Sequence, residues 1–404
     1  MTAASRTAGP ARHSGAPAEG SLSVGLNLTF LTERSGGSGR YARELIAAVS
    51  RVEPDTRLTG FVSAEAPPEV LEADSARGVD WVRCPLKPSA GPPGNFAALM
   101  AWQWAVVPAI AARRGLDVVH GLANVAPLVS PRVARVVTLL DLIWIHHPED
   151  MPAEATAGMR RTAIPSARAA DRVIAISEAA RDDLVATLGL PATKIDVTPL
   201  GINLAETAPP TPARELRGAL GIGTGPLLLC VAQKRKHKNL AALVRALPRL
   251  GDDVQLVVPG SPTPYEQELR ALAGEFGVAH RVHLPDWVSE RDLEGLYALA
   301  ACFVLPSLEE GFGLPVLEAM RRGVPVACSD RSALPEVAGE AAFFFDPLDL
   351  ESVVATLSRI LGEPQLAADL VERGHSRCRQ MTWERTARAT LASYRRALTA
   401  RRRR

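Results

Sequence analysis

Two α/β domains, each built on a parallel sheet, are what this sequence predicts, and three observations carry the prediction. The chain has 404 residues, too many for one ordinary hydrophobic core. Short apolar runs alternate with helix-period segments along most of it, the pattern of strands joined by crossover helices. Near the middle, residues 203–213 hold Pro209, Pro210 and Pro212 without periodicity and read as a linker.

The elements follow in order. Residues 1–20 are rich in Ala, Gly, Ser and Pro and predict a disordered tail. Residues 21–202 form a first domain with strand candidates at 22–28, 58–62, 118–120, 136–140 and 173–176. The apolar stretch 97–112 carries Gln103 and Pro108. It falls short of the roughly 20 residues a spanning helix needs, so a buried or interfacial helix is expected there and a transmembrane chain is not. Residues 214–375 form a second domain with strand candidates at 227–232, 255–259, 282–284, 302–305 and 324–328. Residues 376–404 are a closing helix with a basic tail, six arginines standing in the last ten positions.

Composition narrows the class. Hydrophobic residues make up 47% and charged residues 22%, a globular balance, and a net charge of +2 gives no dominant nucleic-acid footprint. Five scattered cysteines suit buried thiols in a reducing cytoplasm better than a disulfide framework. No Cys/His pair has zinc spacing, so no metal site is expected.

The chemistry concentrates beyond strand ends, where open parallel sheets bind ligands, and a cleft between the two domains is the expected site. After the strand at 302–305 comes Glu309-Glu310-Gly311-Phe312-Gly313-Leu314-Pro315, then Glu318. Pro315 suits a first helical turn and Gly323 the end of that helix. The loop therefore offers backbone N–H groups to a phosphate at a helix N-terminus. Glu310 and Glu318 bracket it, placed to accept hydrogen bonds from sugar hydroxyls. A pocket for a sugar joined to a phosphate follows.

Beyond the strand at 227–232 runs Gln233-Lys234-Arg235-Lys236-His237-Lys238. Cations opening a helix oppose its dipole, and an anion there would reverse the penalty. Phosphate binding is preferred to a merely solvated basic loop. Gly36-Gly37-Ser38-Gly39-Arg40-Tyr41-Ala42 matches a dinucleotide fingerprint in form only, because residues 29–35 separate it from its strand. A flexible glycine loop facing a diphosphate across the cleft is expected instead. Asp141 ends the strand at 136–140 and faces the cleft. His146 and His147 are adjacent and are not expected to share a ligand. His120, at another strand end, is the better cleft candidate, although a histidine there serves structure as readily as function.

Taken together these residues resemble the retaining glycosyltransferases of family 4, which have the GT-B fold of two Rossmann-like domains facing a central cleft. The likeness rests on Glu310-Gly-Phe-Gly-Leu-Pro-Val-Leu-Glu318-Ala-Met, on Ser332-Ala-Leu-Pro-Glu336-Val, on Arg40-Tyr41, on Ser177-Glu178 and on Trp383-Glu384, and spans about residues 22–394. It implies a metal-independent hexosyltransferase, a mannosyltransferase among the candidates, that needs no cofactor. The donor would be a GDP- or UDP-linked sugar and the acceptor a saccharide, lipid-linked saccharide or other hydroxyl. Glu318 would hold the ribose and Glu310 the donor sugar. Phe312, Gly313 and Leu314 would contact sugar and phosphate through their amides. Lys238 would bind the diphosphate, Trp287 and Val288 would lie near the base, and Gly37 and Gly39 would close on the phosphates. Asp141 and His120 stand with Glu310 as catalytic candidates.

Two departures from the family stand out. Many relatives carry histidine where this chain has Leu140, and arginine where it has Gln233. Lys234 or Arg235 is expected to supply the second charge. A nucleotide-sugar epimerase and a non-catalytic nucleotide-sugar-binding protein are the alternative readings. A cytoplasmic protein is expected. The C-terminal arginines form either a soluble charged tail or a peripheral contact with an anionic membrane.

Overall fold

The computed structural model describes residues 21–404 apart from 33–34, 74–75, 77, 88–93, 205–207 and 403–404. The tail expected at residues 1–20 and part of the linker lie outside the described residues. Seven strands form the first sheet: β1 (Ser23–Leu28), β2 (Arg57–Val62), β3 (Asp80–Arg83), β4 (Val118–Gly121), β5 (Ala134–Leu139), β6 (Arg172–Ala175) and β7 (Ile195–Val197). They lie side by side as β3-β2-β1-β4-β5-β6-β7, every pair parallel. Six more form the second: β8 (Leu227–Leu229), β9 (Gln255–Val257), β10 (Val282–His283), β11 (Ala300–Leu305), β12 (Val326–Ser329) and β13 (Phe343–Phe345). Their order is β10-β9-β8-β11-β12-β13, again parallel throughout.

Both sheets are doubly wound, and each reverses its strand order once, between β1 and β4 and between β8 and β11. Ligands of such sheets bind beyond the strand ends at that reversal. The chain leaving β1 carries the Gly36 segment, the chain leaving β8 carries Lys238, and the chain leaving β11 carries Glu310. The two reversal points face each other.

All ten predicted strands exist, with ends shifted by up to three residues. The three not predicted, β3, β7 and β13, are outer strands of their sheets, and the fourth outer strand, β10, is among those predicted. A central parallel strand is covered on both faces and reads as a continuous apolar run. An outer strand needs no such run: β3 has exposed ends and β7 carries Asp196 at its centre, whereas β13, Phe343–Phe345, is apolar throughout and its edge position does not explain the miss.

The glycine segment is a correction. It is no flexible loop but the first turn of a helix, Gly36–Val52, entered from Ser35. The last helix, Trp383–Arg402, returns to the first sheet and packs on Gly36–Val52, β5 and β6. Trp383 stacks on Tyr41 with ring centroids 6.4 Å apart, and Ser393 Oγ donates to Asp196 at 2.7 Å. Gly201 passes so close to the Thr382–Trp383 backbone that no side chain would fit.

The same helix pairs several of the C-terminal arginines, read as either a soluble tail or a membrane contact, with carboxylates. Arg395 pairs with Glu53 at 2.6 Å, Arg396 with Asp196 at 3.0 Å and Arg401 with Asp171 at 3.4 Å. Of the four terminal arginines on which a membrane contact would rest, Arg401 is paired in this way, and Arg403 and Arg404 lie outside the described residues. An open hollow of about 320 Å³ between Arg172, Arg395 and Arg396 has these same paired cations in its walls. The five cysteines are free and buried. Among the described residues no helix is long and apolar enough to cross a membrane.

Candidate active site

A cavity of about 220 Å³ lies where the sheets face each other. The first half contributes Gly37, Ser38 and Tyr41 from the Gly36 helix and Leu140 and Asp141 from the end of β5. The second contributes Lys238 and the run Glu310 to Pro315. Seven of the residues singled out from the sequence therefore meet: Gly37, Asp141, Lys238, Glu310, Phe312, Gly313 and Leu314.

The helix Leu314–Arg321 begins at this cavity. Its N-cap, Gly313, has φ of 96°, and a Cβ there would stand 2.6 Å from a Leu334 methyl, so the position requires glycine. The N-terminal amides of a helix have no intrahelical acceptor and carry its positive pole. Lys238 Nζ adds a full charge and donates to Glu310 Oε1 at 2.7 Å, and Ser307 Oγ donates to the same oxygen at 2.8 Å. Asp141 is half-buried among these groups. Burial pushes its carboxyl above the ordinary range, Glu310 pushes the same way, and the Ile143 N–H and Lys238 pull it down.

Glu318 stands one turn beyond the cavity. One oxygen is held by Arg40 from the Gly36 helix and the other accepts from Tyr297 Oη at 3.2 Å. Three further contacts cross the cleft. Ser177 Oγ donates to the Gly311 carbonyl at 2.8 Å. The Glu336 carboxylate accepts from the amides of Glu178 and Ala179 at 2.9 and 3.1 Å, covering the N-terminus of helix Glu178–Leu188. The Asp150 carboxylate accepts from the amides of Lys236 and His237 and from His237 Nδ1 at 2.7, 3.0 and 2.5 Å.

Several expectations are corrected here. Lys234 is fully buried and donates to the carbonyls of Gly260 and Pro285 at 2.6 and 2.9 Å, with Glu266 at 3.3 Å. It ties strand ends together and does not reach the cavity. Arg235 donates to the Asp150 carbonyl at 2.9 Å. The anion satisfying this basic run is thus Asp150, and neither residue replaces the arginine missing at Gln233. Gly39 is also no phosphate ligand: its amide donates to Ser35 O at 3.0 Å, and a Cβ would stand 2.8 Å from Ser35 Cβ. Trp287, 69% exposed, and half-buried Val288 follow β10 at the sheet's edge and do not line the cavity.

His120 is the clearest correction. It is fully buried, with Nδ1 2.8 Å from Tyr394 Oη and Nε2 2.8 Å from Thr138 Oγ1. It anchors the last helix to the first sheet. Burial pushes its pKa from 6.5 down to about 3. Below pH 6.5 the unfolded chain takes up a proton that the folded one refuses, so stability falls as pH drops towards 3. From this residue alone the loss should be about 2 kcal/mol between neutral pH and pH 5. Urea unfolding at pH 7.5 and 5 should show a smaller loss in His120→Gln than in the native chain; equal losses contradict the assignment.

The adjacent histidines enter two different side-chain groups, and neither group holds both. Glu309 lies between them: His147 Nε2 is 3.3 Å from its carboxylate, and His146, Asp183 and Glu309 bring one ligand atom each within 4.8 Å of one another. His147, Glu149 and Asp150 form a similar group. These clusters could hold a metal; the first joins residues far apart in sequence, whereas the second lies within positions 147–150. Sequence reasoning also missed Ser38, Ser307 and Asp150. Ser307 was legible in principle, three residues before Glu310 in the same strand-end loop, but nothing local marked Asp150.

Residues 213–377 match the family model described as glycosyl transferases group 1, and residues 36–201 match that of the glycosyl transferase 4-like domain. The O-antigen chain mannosyltransferase B of Escherichia coli is 29% identical over 65% of this chain and 71% of its own. The MMP alpha-(1->4)-mannosyltransferase of Mycolicibacterium hassiacum is 29% identical over 72% and 73%. Among solved structures, a sucrose-phosphate synthase from Thermosynechococcus elongatus superposes with a TM-score of 0.73 at 20% identity, covering 94% of this chain and all of its own.

Proposed function

The chain belongs to the group 1 glycosyl transferases and has their GT-B fold, and on that premise we propose that it moves a hexose from a nucleoside-diphosphate donor to a hydroxyl of a saccharide or lipid-linked saccharide. Transfer proceeds with retention and without a metal. Mannose and GDP are the preferred sugar and nucleotide, because relatives at 29% identity are named mannosyltransferases. The single observation that carries the reading is the convergence of Lys238, Glu310 and Asp141 on one cavity at a helix N-terminus.

Each group has a task there. Breaking the bond between sugar and diphosphate leaves charge on the phosphate oxygens. Lys238 and the helix N-terminus are fixed in place before that charge develops, the arrangement that stabilises a transition state most. Glu310 accepts from the donor sugar's hydroxyls and Glu318 from the ribose. Asp141 approaches from the other half and accepts from the incoming hydroxyl. Its raised carboxyl sits closer to working pH than a solvated one, which suits a proton acceptor.

The test is turnover of GDP-mannose and UDP-glucose over a panel of mannoside acceptors, with and without EDTA. GDP release should require both GDP-mannose and an acceptor, persist in EDTA, and give a product whose anomeric coupling constant matches the donor's. Activity lost in EDTA and restored by a divalent ion overturns metal independence. An inverted product overturns retention, and no release from any pair overturns the function.

A further inference from the structure

Arg40 stands where the proposed ribose should be. Glu318 has two oxygens; Tyr297 Oη donates to one at 3.2 Å and the Arg40 guanidinium covers the other. Tyr297 and Glu318 belong to the second half, whereas Arg40 reaches over from the first. The cavity ends at Leu314 and Pro315, one turn short of Glu318, with Arg40 beyond it. At about 220 Å³ it is smaller than the 300 Å³ or more of an ordinary ligand pocket. A nucleotide can therefore reach Glu318 only if Arg40 leaves it.

Charge says where Arg40 goes. Among the described residues, Lys238 is the one cation lining the cavity, and it is paired with Glu310 at 2.7 Å. Lys234 and Arg235 are committed elsewhere. A nucleoside diphosphate brings two or more negative charges into a site with one shared positive charge. Arg40 is fixed at its backbone two and three positions from Ser38 and Gly37, both in the cavity wall. Its side chain is 27% exposed, against 11% for Glu318, so the guanidinium can turn without losing a buried setting. Its planar fork suits phosphate oxygens.

We infer that Arg40 is an exchange ligand: it holds Glu318 in the empty cleft and trades it for the diphosphate when the ribose takes its place. This rests on the reading of Glu318 as the ribose ligand. The exchange makes the site selective for a molecule that carries both parts. A nucleoside alone displaces Arg40 from its carboxylate and leaves the guanidinium unpaired. Pyrophosphate alone draws Arg40 away and leaves Glu318 with the Tyr297 hydroxyl but no cation. Only a nucleoside diphosphate satisfies both, and the penalty for a stripped charge falls chiefly on the more buried Glu318.

The experiment is calorimetric titration of GDP, guanosine and pyrophosphate into the native chain, Arg40→Gln and Glu318→Gln, with UDP and uridine as a second series. Arg40→Gln should weaken GDP by ~10–100-fold, the worth of a charged hydrogen bond, and tighten guanosine several-fold, because its competitor for Glu318 is gone. Glu318→Gln should weaken guanosine and tighten pyrophosphate. Arg40→Lys, a milder change should Arg40→Gln fold poorly, should keep most of the GDP affinity. Parallel changes for GDP and guanosine in Arg40→Gln, or no change in either, overturn the exchange while leaving the ribose assignment standing. Unchanged guanosine affinity in Glu318→Gln overturns the ribose assignment and the exchange with it, even where Arg40→Gln still weakens GDP.

Discussion

Replacing Gly311 with alanine is expected to abolish transfer while leaving both halves folded. Gly311 lies in the loop after β11 and faces the other half. A Cβ there would press into the Leu140 carbonyl oxygen and stand 3.1 Å from Asp141 Cβ. Both are the end of β5, rigid backbone that no side-chain rotation can relieve. The halves must separate, and the Ser177–Gly311 hydrogen bond of 2.8 Å must break with them. Asp141 would then retreat from Glu310 and Lys238. A displacement of about 1 Å in a catalytic group can cost ~100-fold, and the opening required here is at least that. The core strands do not touch the added methyl, so the melting temperature should move little. Kinetics and small-angle scattering check this together: kcat/KM down by ~100-fold or more, with a larger radius of gyration in the presence of GDP. Activity within threefold of the native chain would mean that the cleft does not work in this closed arrangement.

The part of the site that the sequence revealed is the part encoded within one loop and one helical turn. Glu310, Gly313 and Glu318 share a strand-loop-helix unit, so their spacing along the chain already fixes their spacing in space. Lys234 and Lys238 show where that logic stops. Both belong to the same basic run, yet Lys238 enters the cavity and Lys234 turns inward. The difference comes from the carbonyls of Gly260 and Pro285, which lie 26 and 51 residues away and need a donor. Nothing within the run distinguishes the two lysines. His120 fails for a related reason. It ends a strand, as a cleft residue should, but β4 is central in a sheet buried on both faces, and the partner that claims its ring, Tyr394, lies 274 residues on. The fold was more legible than the site because strands announce themselves by their own apolar runs. Even there the outer strands β3 and β7 escaped, since an edge needs less apolar surface, and so did β13, an apolar run of three phenylalanines that this reason does not cover. Arg40 belongs with Lys234 and His120. Its motif was visible, but its partner Glu318 stands 278 residues away in the other half.

Lys238→Ala should lower affinity for GDP by ~100-fold, leave guanosine affinity unchanged, and lower turnover further still. The ammonium is 16% exposed and its partner Glu310 11%, so the pair is weakly screened. Removing the lysine takes a charged contact from the diphosphate, roughly 1.5–3 kcal/mol. It also strands Glu310, whose remaining donor is Ser307 at 2.8 Å. The incoming diphosphate then meets an uncompensated carboxylate, and the departing one loses the charge that stabilised it, which is why turnover should suffer beyond binding. A second consequence separates this account from a folding defect. Lys238 pulls the Asp141 carboxyl down, against burial and Glu310 pushing it up. Without the lysine, Asp141 should stay protonated to higher pH. Since the carboxylate is the working form, the acid side of the kcat/KM profile should move to higher pH in Lys238→Ala. Lys238→Arg, which keeps the charge, should leave that limb close to its native position. A limb that stays put in Lys238→Ala would remove Asp141 from the reaction. Equal losses for guanosine and GDP would place Lys238 away from the diphosphate.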